Sequence, residues 1–479
     1  MAMHCDNAAG RARQGCHPKR AEGPGRAEVP TAAAAARFLG GVLGAAVVHL
    51  LLGATLALAA DWPQFMGPGG RGISPERGLA RSWPEGGPPV LWTIDLGDGF
   101  AGAAVREGKV YVLDRVGTRQ DVLRRLDLAT GKEEWIFAYD APGELQYNGS
   151  RQVPTVEAEV IFTVGPFGNV NAIDSKTHQP IWSHHVVNDF REPGAAKADQ
   201  PVLPTWGLTQ SPAMYKDTLI LAPLGPKVGV VAYEKATGKM RWKSPPLGPG
   251  TFCYASPYLT TFSGVDQVVV FTNKKVDAWV PAFISSVDAA TGRLLWRLET
   301  WKPYKLPVSN PVKIGEGRLF IAGSYGVGCF ALNVKKDGEA WSVDYAFKDN
   351  NNCVAHLHTP ILYKGLLYAN SFDIHAPGKG NGLVCLDLEG GLKWKSGPAV
   401  LFDAGGYLIA DDLIFVMHGK TGELTLAEAQ PEAFKPLAKA KVLKAEGGTV
   451  WAPMALSDGR LIVRDLHQMK CLDVRKAKD

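Results

Sequence analysis

Six times along the chain an acidic or amide residue is followed, seven or eight positions later, by a tryptophan. The copies are LDLATGKEEW ending at Trp135, IDSKTHQPIW at Trp182, YEKATGKMRW at Trp242, VDAATGRLLW at Trp296, LNVKKDGEAW at Trp341 and LDLEGGLKW at Trp394. Asp127, Asp174, Glu234, Asp288 and Asn333 stand eight before their tryptophan, and Asp387 seven. Successive tryptophans are 47, 60, 54, 45 and 53 residues apart. A weaker copy, LTLAEAQPEAF, ends at Phe434, and another begins at CLDV (471–474) and stops there. Self-similarity at this period points to a repeat architecture in which each unit buries its apolar face against the next.

Each part of the unit has a physical task. The apolar residues before the acid alternate as a strand does. The acid caps backbone N–H groups at the turn entry, Thr-Gly supplies the left-handed residue of a tight hairpin, and the tryptophan returns on the next strand to fill the space between twisted sheets. About twenty residues upstream stands a proline: Pro154, Pro212, Pro257, Pro311, Pro360 and Pro453. Proline lacks an N–H and belongs on an edge strand, so these residues mark inner strands facing a central channel. VLWTIDLG (90–97) has a tryptophan strand with nothing before it, and CLDV has inner strands with nothing after it. Joined, they complete one blade and leave no open sheet edge. The expectation is an all-β, eight-bladed propeller of four-stranded antiparallel blades over 87–479; seven blades is the alternative if the copy near 424–437 is an insertion.

These Asp-x-x-Thr-Gly-x-x-x-Trp hairpins resemble the repeats of the pyrroloquinoline-quinone (PQQ) propeller superfamily, which holds quinoprotein dehydrogenases and the envelope scaffold BamB. DWPQFMGPGGRG (61–72), WGLTQSP (206–212), YASP (254–257) and LAEAQPEAFKPL (426–437) are similar to exported PQQ-binding-like β-propeller repeat proteins. The resemblance implies architecture and leaves activity open. Quinoprotein dehydrogenases use calcium, a carboxylate base and, in many members, adjacent disulfide-linked cysteines. This chain has no Cys-Cys pair and no C-x-x-C-H. Its five cysteines after residue 60 (Cys253, Cys329, Cys353, Cys385, Cys471) are dispersed, as small buried residues would be.

Residues 38–60 form an uncharged apolar run behind Arg37 and end in Ala57-Leu58-Ala59. That pattern is a secretory signal with cleavage near Ala59; the alternative is a membrane anchor formed by 38–60. The division is then a signal region at 1–60, an extension at 61–86 and the propeller. Basic residues number 52 against 47 acidic. Removing the six basic and three acidic residues of 1–60 leaves 46 against 44, too balanced for a nucleic-acid partner. A monomer in the periplasm or outside the cell is expected, touching membrane only through its signal.

Registering the blades on their prolines places Gln152, Gln210, Ala255, Ser309, His358 and Trp451 two residues before each. Equivalent positions in a ring converge on the axis, so these should form one layer at the channel mouth, either holding a small polar ligand or only solvating the channel. Arg151, Trp206, Tyr254 and His356 join the candidates. No carboxylate is among them, and one arginine cannot balance the three carboxylates of PQQ; Asp199 or Asp349 could reach the axis from loops. No catalytic residue and no metal ligand is assigned. The reading is a ligand- or protein-binding module without redox chemistry. The alternatives are a PQQ- and calcium-dependent dehydrogenase and a BamB-like scaffold in envelope protein assembly.

Overall fold

The structure, a computed structural model, describes residues 60–477 except 192–193, 195–202, 249–252, 274–281, 302–307, 375 and 377–379. The signal region and most of residues 190–206, with Asp199, lie outside the described residues. Eight antiparallel sheets form the ring. Blades 1 to 7 span residues 104–140, 155–185, 213–243, 258–301, 312–350, 361–395 and 407–441; blade 8 combines 455–473 with 90–95. The fold is an eight-bladed propeller, and the copy near Phe434 is blade 7. In every blade except the closing one the strands follow in sequence order. The first strands of blades 8 and 1, 1 and 2, 3 and 4, 5 and 6, and 6 and 7 touch around the axis, and five of the prolines stand directly before a first strand.

The tryptophans join blades as their spacing predicts. Trp182 of blade 2 donates its indole N–H to Lys235 O of blade 3 at 2.8 Å. Its ring lies against Gly238, where a Cβ would fall 2.7 Å from the indole and φ is +70°. Only glycine suits that position on both counts. In blade 2 the equivalent residue is His178, also at positive φ (+62°), and its ring stacks on Trp135 of blade 1 at 4.4 Å. Asp127 Oδ1 accepts from the backbone N–H groups of Ala129 and Thr130 at 3.1 and 3.0 Å, the turn capping expected of it. Blade 5 departs from the pattern. Its third and fourth strands run on through Gly328–Asp337 and Ala340–Asn350. Asn333 therefore lies mid-strand, bonded across to Asp344 at 2.9 Å, and caps no turn. Lacking a short hairpin to dock on, Trp296 of blade 4 turns its N–H to Gln267 in its own blade at 2.7 Å.

Ring closure joins the two ends of the described chain. Val90–Asp95 pairs antiparallel with Gln468–Asp473, Trp92 opposite Cys471 and Ile94 opposite Met469. Arg464 of blade 8, fully buried, donates to the carbonyls of Gly97, Ala101 and Leu113 at 2.9, 3.2 and 3.3 Å. Its side chain thereby stitches the last blade to the start of the first.

The segment before the ring is part of the ring. Trp62 exchanges two 2.8 Å backbone bonds with Val105 in blade 1, and Pro63 O accepts from Val156 in blade 2 at 2.8 Å. Nine residues later Gly72 O accepts from Ile409 at 2.9 Å, and Ile73–Ser74 pairs parallel to the first strand of blade 7. Blades 2 and 6 stand opposite each other in an eight-membered ring, and Gly72 packs on Ile361 of blade 6. Residues 63–72 thus cross the channel from one side to the other. They do so as a compact coil, Gly67 N bonding Gln64 O at 2.9 Å and Gly72 N bonding Met66 O at 2.7 Å. Gly67, at φ +65°, leaves no room for a side chain beside the Trp62 ring, 2.5 Å from where its Cβ would stand.

Candidate functional site

The connections that carry the chain from one blade's outer strand to the next blade's inner strand converge at one end of the channel. They enclose a cavity of about 350 Å³. Its lining is lopsided. The connections into blades 1, 2, 3, 4 and 8 bring Phe100, Tyr147, Trp206, Tyr254 and Trp451; those into blades 5 and 6 bring Asn310, His356 and His358. Gly406, at the start of blade 7, packs beside His358, whose ring would stand 3.3 Å from a Cβ there. Phe65, carried on the coil that crosses the channel, joins the same lining.

The rings are arranged in contact. Phe100 and Trp451 stack with centroids 5.4 Å apart and planes 26° from parallel, and Tyr147 stands edge-on to Trp451 at 5.3 Å. Trp206 and Tyr254 form a second pair at 5.3 Å. Trp451 keeps its indole N–H sealed from solvent without an acceptor. Arg151 reaches the cavity beside these rings, its guanidinium carbon 5.4 Å from the Phe100 centroid. It donates to the backbone carbonyls of Gly149 and Tyr147. No carboxylate among the described residues forms an ion pair with it. Burial lowers its pKa to about 10, so it stays a cation at neutral pH.

Each histidine has a neutral group within hydrogen-bond reach. His356 Nε2 lies 3.2 Å from Tyr325 Oη, and His358 Nε2 lies 3.2 Å from Ala404 O. Burial drives the His358 imidazole down to about 4, against smaller opposing contributions from the backbone of Ala404 and Trp451. His358 is then neutral in the fold where the unfolded chain protonates it. Its contribution is intact above about pH 6.5 and is lost as pH falls towards 4. We expect the wild type to lose on the order of 1–2 kcal/mol more than His358→Gln between pH 7 and pH 4. That figure is below the full shift because one edge of the ring faces the cavity. Melting temperatures of the two proteins across that range measure it; parallel curves would refute it.

Of the nine candidates read from the sequence, Arg151, Trp206, Tyr254, His356, His358 and Trp451 line the cavity. Gln152, Gln210 and Ser309 lie outside its lining. Each is buried and bonds within the fold: Gln152 Oε1 accepts from Val164 N at 3.1 Å, Gln210 Nε2 donates to Ala222 O and Cys253 O at 3.1 Å, and Ser309 Oγ donates to Ala322 O at 2.6 Å. In blades 3 to 5 the layer exposed to the channel is one residue later. Ser211 N donates to Ser256 Oγ, Ser256 N to Asn310 Oδ1 and Asn310 N to Thr359 Oγ1, each at 2.9 Å. This relay links four successive inner strands around the axis. Phe65, Phe100 and Tyr147 went unseen in the sequence. The glycine-rich DWPQFMGPGGRG was the available signal for Phe65, since a compact coil of left-handed residues suits a channel plug.

PQQ and calcium were tested against this lining. Among the described residues no aspartate or glutamate side chain lines the cavity, and Arg151 is the single arginine or lysine. The five described cysteines are buried, and no group of three or more His, Cys, Asp or Glu among the described residues is placed to hold a metal ion. The described residues do not fit a calcium-bound tricarboxylate. Asp199 lies outside them, and the structure does not describe the Asp349 side chain.

Comparison with known proteins agrees with the ring. The family model described as outer membrane protein assembly factor BamB matches residues 89–202 and 281–467, well over half the chain. The dehydrogenase subunit of the quinone alcohol dehydrogenase of Gluconacetobacter polyoxogenes is 26% identical over 205 residues, covering 40% of this chain and 25% of that protein. The quinohemoprotein alcohol dehydrogenase ADH IIB of Pseudomonas putida is 26% identical over 156 residues, covering 32% and 20%. The chain therefore spans at most about a quarter of the length of these relatives. Among solved structures, BamB from Moraxella catarrhalis superposes with a TM-score of 0.53 at 12% identity over 81% of this chain and 99% of its own. A europium-containing methanol dehydrogenase gives 0.61 at 13% identity over 85% and 90%. At such identities the likeness shows the fold alone. Repeat, ring and family match agree: the chain belongs to the PQQ-like β-propellers of the PQQ_2 family, whose model bears the description of outer membrane protein assembly factor BamB.

Proposed function

We propose that this chain is an exported, monomeric binding propeller whose channel-mouth cavity takes a small organic ligand and carries out no quinone redox chemistry. The supporting observation is the composition of that cavity among the described residues: stacked aromatic rings, two histidines and one arginine, with no carboxylate to hold calcium or act as base. PQQ-linked oxidation of an alcohol needs a polarising cation, a base and counter-charges for the quinone's carboxylates, and Arg151 supplies only part of the last. Aromatic walls with a few polar groups are the usual make-up of a ligand site. Export is supported by the apolar run and its A-x-A ending. Purified protein given PQQ, calcium and a range of primary alcohols and sugars is expected to reduce no electron-accepting dye. Reduction that depends on both PQQ and calcium would overturn the reading.

The family description favours a second reading, a scaffold that contacts envelope proteins. A groove of about 760 Å³ beside the outer strand of blade 7, lined by Val400, Phe434, Leu437 and Lys439 among others, offers a surface for it.

A further inference from the structure

We infer that the channel-mouth cavity is a site for an organic anion of single charge that carries an aromatic ring, Arg151 taking the anionic group and the Phe100–Trp451 stack flanking the ring. The inference rests on the binding reading above and adds the chemical class of the ligand.

Charge is the first argument. A guanidinium removed from water is costly unless an anion answers it. Among the described residues Arg151 donates hydrogen bonds to the carbonyls of Gly149 and Tyr147, which occupy two of its five N–H donors. The remaining donors of this planar fork suit a carboxylate, sulfonate or phosphate oxygen pair. Arg151 is the one arginine or lysine in the described lining, which holds no carboxylate, and it matches a ligand group of one negative charge.

Shape is the second. The guanidinium lies over the Phe100 face, Phe100 stacks on Trp451 and Tyr147 closes on Trp451 from the side. An anion on Arg151 thus has aromatic faces beside it, which favour a flat or edge-on ring. Phe65, on the coil that spans the channel, also lines the cavity. The cavity is therefore closed below and bounds the length of its ligand.

Two dyes that differ by one group test this on the full chain. 8-Anilinonaphthalene-1-sulfonate is an aromatic monoanion, and N-phenyl-1-naphthylamine is the same ring system without the sulfonate. The wild type is expected to bind the sulfonate about ten to a hundred times more tightly, the range of one charge-assisted hydrogen-bonded contact. Arg151→Gln should bring the two dyes to within about threefold, while Arg151→Lys should keep part of the preference. An unchanged preference in Arg151→Gln, or no preference in the wild type, overturns the inference. Should Arg151→Gln fail to fold, displacement from the wild type decides: benzenesulfonate should displace the bound anionic dye and neutral benzenesulfonamide should not, and equal displacement refutes the site. PQQ- and calcium-dependent dye reduction would instead refute the non-redox reading, whatever these titrations give.

Discussion

Deleting residues 87–97 is expected to turn the protein into aggregates that lack a cooperative melting transition. The segment supplies the outer strand of blade 8, paired from Val90 to Asp95 with Gln468–Asp473. It also brings Trp92, buried and hydrogen-bonded to Leu128 O of blade 1 at 2.9 Å. Its removal exposes a long, partly apolar strand edge of the kind that templates association. It also takes away the Gly97 carbonyl and the neighbouring backbone around Arg464, a buried cation that loses one of its acceptors. Each loss is on the order of a few kcal/mol, and together they approach the whole stability of an ordinary domain. Size-exclusion chromatography and thermal melting measure the outcome. A deletion that elutes and melts like the parent would mean that the ring does not close through this strand.

Trp182→Ala and Trp341→Ala should differ sharply, although the two residues hold the same place in the sequence repeat. Trp182 is buried against Gly238 and bonded to the next blade, so its truncation should cost about 3–5 kcal/mol. Trp341 is only partly buried, on the extended hairpin of blade 5, with its ring 5.8 Å from the Lys336 ammonium. Its truncation should cost about 1 kcal/mol. Denaturant midpoints of the two variants give the comparison, and equal losses would contradict the blade-to-blade docking described here.

That contrast shows where the sequence was legible and where it was not. Apolar alternation, a capping acid and a docked tryptophan are local requirements, each with a residue signature. Repeated around the ring, they revealed the blades, their number and the closure between 90–97 and the chain's last strand. The hairpin of blade 5 was read as ordinary because Asn333 kept its distance from Trp341, while the actual turn, at Gly338, lies nearer the tryptophan. Of the residues registered on the prolines, His358 and Trp451 line the cavity; the other four candidates that do, Arg151, Trp206, Tyr254 and His356, came from neighbouring segments and not from that register. Gln152, Gln210 and Ser309 do not, because a change of one position decides whether a side chain faces the channel or turns back to its neighbouring strand, and irregular connections carry no period from which to read it. Phe65 lay beyond reach for another reason. Its place depends on a coil pairing with blades distant in sequence; the glycines of 61–72 signal the coil but not the blades it pairs with.

The central claim is that the cavity holds a cation and aromatic faces but no means of binding a calcium-bound quinone. Calorimetric titration of PQQ, with and without calcium, tests it most directly. Weak binding that calcium does not strengthen, and that Arg151→Gln diminishes, is the predicted result. Tight binding that requires calcium would contradict the account and reveal carboxylates at the channel mouth.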